Sequence, residues 1–87
     1  MKAQAKILAT SVIEGETVFG ALITKGKVNL GDTAEAYRKD KLIGKSKLAS
    51  LKNRSKTVQE VKKDQECGMQ FTPTLDIKVG DMIKFIL

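Results

Sequence analysis

Short alternating segments, each cut off by Gly, Asn or Asp, run the length of this chain and constrain its fold more than any other feature. Segments rich in Val, Ile, Leu, Thr and Phe, recurring between turn residues, indicate a β-sandwich or a β-barrel. "AQAKILATSVI" is extended, and "EGE" (Glu14 to Glu16) turns it around Gly15. "TVFGALITKG" resumes as a strand with Gly20 inside it. "KVNLGDTAEAYRK" carries a tight turn at Asn29-Leu30-Gly31-Asp32. The strand after it sets Ala34, Ala36 and Arg38 opposite Thr33, Glu35 and Tyr37. Lys39 to Lys41 close a hairpin onto "LIGKSKLASLK", where Gly44 marks a bulge or kink. "NRSKT" reads as a basic loop, "VQEV" as a short strand or turn, and "ECGMQF" as a strand. "TPTLDIKVGD" is a loop with room for one helical turn. "MIKFIL" closes the chain, with Met82, Lys84 and Ile86 opposite Ile83, Phe85 and Leu87.

"TAEAYRKDK" has residues that favour helix. It is short, however, follows Gly-Asp and is flanked by strands, so it is expected to be a strand. A small sheet has two exposed edges unless it closes on itself. Gly20 and Gly44 are the kind of residue that lets strands bend at barrel corners. The expectation is an all-β domain, a small closed antiparallel barrel spanning residues 1–87. A chain this short buries only about 60% of its unfolded surface, so it holds one modest core. Met69, Met82, Phe85 and Leu87 are expected in that core.

The composition excludes much chemistry. There is one cysteine and no histidine. No intramolecular disulfide can form, and the common zinc sites cannot be built. A Cys–His or Ser–His nucleophilic pair is impossible within the chain. No carboxylate pair stands in an apolar setting that would tune one for acid–base work. "GALITKGK" (Gly20 to Lys27) imitates a phosphate loop. Five residues rather than four separate its glycines, though, and Val28 stands where Ser or Thr must reach magnesium. The expectation is a binder, not an enzyme, with no metal and no cofactor.

Sixteen Lys+Arg against ten Asp+Glu give a net charge of +6. Such a balance favours a phosphate-bearing partner, although a lysine-rich surface is as often merely solvated. The N-terminal apolar run is too short and broken for a signal segment or a membrane span. A cytoplasmic, non-membrane setting is the expectation, and Asn53-Arg54-Ser55 is read as a chance match to a glycosylation pattern. Within "LKNRSK" (Leu51 to Lys56), Lys supplies a point charge and Arg a planar fork suited to phosphate or to stacking on a base. "ECG" (Glu66 to Gly68) follows at a short interval. If the two segments meet at adjacent barrel corners, a charged rim would adjoin a small apolar wall. Cys67 alone is by default a buried small hydrophobe.

The series "GALITKGKVNLGDTAEAYRKDKLIGKSKLASLK", "TVQEV", "ECGMQF" and "DIKVGDMIKF" resembles the C-terminal domain of bacterial-type translation initiation factor 2, over roughly Ala5 to Phe85. The resemblance implies a closed six-stranded antiparallel barrel of the elongation-factor domain-2 type, taken from the C-terminal part of a longer factor whose GTPase lies in another domain. It implies binding of the 3′ acceptor end of formylmethionyl initiator tRNA, contact with the ribosome through the full-length factor, and a monomeric domain. By position it assigns tRNA contacts to Lys52, Asn53, Arg54, Glu66, Cys67 and Gly68, with Gly20 and Ala21 on the second strand. The chain departs from the family pattern at Asn53 and Arg54, where a basic residue and then an aromatic are usual. It departs again at Ala21, where cysteine often follows the glycine, and at Lys56 and Thr57, where acidic residues are common. These departures keep a second possibility open, a barrel that docks on protein or ribosome with little tRNA specificity.

Overall fold

The computed structural model describes residues 1–86 as eight β-strands with no helix among them: β1 (Ala3–Ile13), β2 (Glu16–Asn29), β3 (Thr33–Arg38), β4 (Lys41–Asn53), β5 (Lys56–Thr57), β6 (Glu60–Lys62), β7 (Glu66–Thr72) and β8 (Met82–Ile86). Neighbours follow the order β1-β8-β3-β4-β7-β2, and β1 pairs again with β2 to close six antiparallel strands into a barrel. β6 extends β2, and β5 folds back on β4. The closed all-β architecture expected from the alternating segments is therefore observed. Leu87, expected in the core, lies outside the described residues.

Small barrels are filled by side chains, and large residues must be matched with small ones across neighbouring strands. Here Phe85 of β8 lies between Ala3 of β1 and Ala34 of β3. One layer along, Ile83 lies between Ala5 and Ala36. The opposite wall is filled by Phe19, Leu48, Leu51, Met69 and Phe71, all buried. The Phe19 and Phe71 rings meet at 5.9 Å between centroids, tilted by 47°, within the favourable range for aromatic pairs. Met82 is a correction. It sits on the outer face of β8, in alternation with the buried Ile83 and Phe85.

Two bulges set which side chains face outward. In β4, Ala36 pairs Gly44 and Tyr37 pairs Leu42, leaving Ile43 as the extra residue beside the expected kink. A second, unanticipated bulge leaves Ala49 unpaired between Leu48↔Phe71 and Ser50↔Gln70. It keeps both Leu48 and Leu51 inside, three residues apart, and both Lys47 and Lys52 outside.

Three turns share one construction. Asn29–Asp32, Lys62–Gln65 and Lys78–Asp81 each close by a backbone hydrogen bond from the fourth N–H to the first carbonyl. In each, the fourth side chain accepts from the first N–H, with donor–acceptor distances of 2.8 Å throughout. The third residues, Gly31, Asp64 and Gly80, have φ of 91°, 72° and 94°, the position that type II turns reserve for positive φ. The segment from Pro73 to Asp81 is a loop, as read from the sequence, and uses its room without forming a helical turn. It instead lays Leu75 against Gly44 and buries Ile77.

Asp81 anchors that loop. Arg38 Nε donates to its Oδ1 at 3.0 Å and Arg38 Nη2 to its Oδ2 at 2.9 Å, while Nη2 also reaches the Asp76 carbonyl. The guanidinium and the Lys78 N–H hold the carboxyl below the usual carboxylate range, against the opposing pull of burial.

The β3–β4 hairpin turns through Lys39 and Asp40, with φ of 50° and 64°. Two successive positive φ values define the tight turn that Asn-Gly serves best. Replacing Lys39-Asp40 by Asn-Gly is expected to stabilise the fold by about 1 kcal/mol. Thermal unfolding monitored by circular dichroism should rise by roughly 4–8 °C.

A candidate nucleic-acid interface at the start of strand seven

The β4–β5 hairpin is tighter than the basic loop expected from sequence. Arg54 and Ser55 alone turn it, with φ of 53° and 68°. The hairpin projects past the start of β7, because β7 pairs with β4 only as far as Lys52↔Gly68. On the other side stands the Lys62–Gln65 turn, tied to β2 by Asp64 N–H donating to the Ile23 carbonyl at 2.8 Å. Between these arms lies an open cleft of about 900 Å³, lined by Lys52, Asn53, Arg54, Ser55, Asp64, Gln65, Glu66, Cys67 and Gly68.

Six of the eight residues assigned by resemblance thus meet in one cleft. Gly20 and Ala21 lie one strand away and do not line it. Parity explains the arrangement. Along β7, Cys67, Met69 and Phe71 face inward, and Glu66, Gly68 and Gln70 face outward. Ala21 pairs Cys67 and is buried with it, whereas Gly20 pairs Gly68 on the outer side. From Gly68 through Gly20 to Ala9, the outer surface therefore carries almost no side-chain bulk. Asp64 and Gln65 were not singled out in the sequence. Their only signal was adjacency to "ECG".

The lips of the cleft differ in charge. The hairpin lip carries Lys52 and Arg54, and the turn lip carries Asp64 and Glu66. An anion would lie toward the hairpin.

Cys67 keeps only 8% of its surface exposed, at the floor of the cleft. Burial pushes its thiol up to about 11. A thiolate is the reactive form, so Cys67 should alkylate at neutral pH about 100-fold more slowly than a free cysteine. Iodoacetamide labelling followed by mass spectrometry checks this, and the rate should rise to the free-cysteine value in denaturant.

No group of three or more potential metal ligands exists among the described residues. No helix among them is long and apolar enough to cross a membrane.

Fold and cleft together define a compact β-barrel module with one charged, concave face. No family model matches the chain. Individual relatives do. The chain is 40% identical over 82 residues to translation initiation factor IF-2 of Aliarcobacter butzleri, an alignment covering 93% of this chain and 9% of that protein. It is 41% identical over 68 residues to the IF-2 of Nitratiruptor sp., covering 78% of this chain and 8% of the relative. With the IF-2 of Mycoplasmoides gallisepticum the identity is 38% over 68 residues, 78% of this chain and 11% of the relative. The chain is a homologue of a domain-sized segment of translation initiation factor IF-2, and it spans about a tenth of the length of the curated relatives it matches.

Proposed function

We propose that this barrel is a non-catalytic module that binds the formylmethionyl 3′ acceptor end of initiator tRNA in the cleft beside β7. The observation that supports it is the convergence of the Lys52–Ser55 hairpin and the Glu66–Gly68 strand start on one concave surface. Lys52 and Arg54 face the terminal phosphates. Gly68, bare on its outer side, lets the ester and the blocked amino group approach the backbone. Cys67 contributes a soft, uncharged floor. The ribosome is the larger partner, reached through the rest of a full-length factor.

An NMR titration with matched formylated and unformylated methionyl-tRNA at two salt concentrations tests this reading. Shifts at Lys52, Glu66, Cys67 and Gly68, larger for the formylated form and persisting in salt, are expected. Weak shifts spread over all lysines and lost in salt would overturn it.

One observation favours the second reading, a barrel that docks on protein or ribosome. Asp64 and Glu66 on the turn lip would repel an RNA polyanion, formylated or not. Equal, salt-sensitive responses to both tRNA forms would support that reading.

A further inference from the structure

The cleft does not end at Gly68. It shares Lys52, Ser55 and Gly68 with a second hollow lined by Ile13, Glu14, Glu16, Val18, Ser50 and Gln70. That hollow shares Glu16, Ser50 and Gln70 with a third, which reaches Ala49, Thr72 and Thr74. The three form one continuous groove along the outer face of the β4–β7 pair. Its floor is uncharged and, apart from Gln70, small: Gly68, Ser50, Ala49 and Thr72. Its far end lies beside Lys47, which pairs Thr72 in register and is exposed on the same face.

The β4 side of this groove is basic at both ends. No ion pair among the described residues engages Lys47, Lys52, Arg54 or Lys56, whereas Lys45, one step further along, is held by Glu35 at 3.3 Å. The β1–β2 side carries Glu14 and Glu16, and Gln70 Nε2 donates to Glu16 Oε2 at 2.9 Å. The charge gradient across the groove therefore pushes a polyanion against β4. The Ala49 bulge matters here. Lys47 and Lys52 are five residues apart, and without an extra residue between them they would face opposite sides of the sheet.

The geometry points to a path for a single-stranded RNA segment. The nucleotides preceding the 3′ end run from the cleft over Ser50 and Gln70 to Lys47, with their phosphates toward β4. The direction of this path rests on the acceptor-end reading above. The path itself rests on the groove and its charge.

The test is the salt dependence of binding of formylmethionyl initiator tRNA, with the unformylated form in parallel. Three variants are compared with wild type: Lys47→Gln, Thr72→Trp and Lys41→Gln. Lys47→Gln removes one phosphate contact, so the slope of log affinity against log salt should shrink by about 0.7. Both tRNA forms should weaken equally, by several-fold at low salt. Thr72→Trp fills the far groove without changing charge and should weaken binding about tenfold. Lys41→Gln, an equal charge loss outside the groove, should leave slope and affinity near wild type. If Lys47→Gln and Lys41→Gln have the same effect, or Thr72→Trp has none, the path is wrong. Should formyl preference persist in that case, the acceptor-end reading stands without the path. Loss of formyl preference in wild type, with the variant pattern intact, sinks the acceptor-end reading and leaves the groove as an RNA path.

Discussion

Gly68→Leu is expected to weaken the proposed acceptor-end binding about 100-fold while leaving the barrel folded. Gly68 faces outward and pairs Lys52 on one side and Gly20 on the other. A Cβ placed on it would meet only Val18 Cγ1, at an ordinary 3.6 Å. Its backbone is not in the left-handed region, so a side chain costs no special strain. The added isobutyl group would therefore stand in the cleft rather than in the core. It would lie where the proposed acceptor-end ligand approaches the backbone. Affinity for formylmethionyl-tRNA should fall about 100-fold, equivalent to about 2.7 kcal/mol. Calorimetric titration reads the loss, and an unchanged circular dichroism melt shows that the fold survives. Retained affinity would move the ligand off β7 altogether.

The second large effect concerns stability. Asp81 is 3% exposed and accepts from Arg38 twice and from Lys78 N–H once. Asp81→Ala leaves one turn N–H without its acceptor and the guanidinium with only the Asp76 carbonyl. Hydrogen bonds to charged groups contribute roughly 1.5–3 kcal/mol, so the loss is expected at about 3 kcal/mol. In a domain of this size that lowers the melting temperature by more than about 10 °C. The pH dependence has a definite sign. The folded carboxyl titrates below its unfolded range. Its contribution is therefore complete above about pH 4 and fades as pH falls through the lowered folded value. Asp81→Asn should flatten the acid limb of the stability profile. An acid limb identical to wild type would mean that another carboxylate carries it.

Most of the strand plan is legible because alternation carries it. Ala34 and Ala36, read as one face of a strand, are the buried partners of Phe85 and Ile83. What escaped are places where local pattern and packing disagree. The Ala49 bulge has no glycine to announce it. It exists because Leu48 and Leu51 must both reach the core. The Pro73–Asp81 loop is long enough for a turn of helix, but the tetrad at Lys78–Asp81 and the burial of Ile77 hold it open. The hairpin at Arg54-Ser55 reads as a loop because neither residue is one that usually takes positive φ. At the cleft, the family resemblance assigns Lys52 and Gly68 to one surface, and the register places them side by side. The inward turn of Cys67 and Ala21 follows from the two-residue period once Met69 and Phe71 fix the core side.

The double pairing of β1, with β2 on one edge and β8 on the other, has a consequence for synthesis. Hairpins β1–β2 and β3–β4 can form as soon as they leave the ribosome, since their partners are neighbours in the chain. Ala3, Ala5, Ala34 and Ala36 cannot be covered until Ile83 and Phe85 have been made. Until then the nascent chain carries two open sheet edges and an unfilled seam, the state most prone to pairing with another chain. Closure couples the two ends of the sequence, so it comes last and is slow relative to the local hairpins. The last strand made therefore commits the whole domain, and a ribosome stalled before residue 82 would hold an open sheet rather than a barrel.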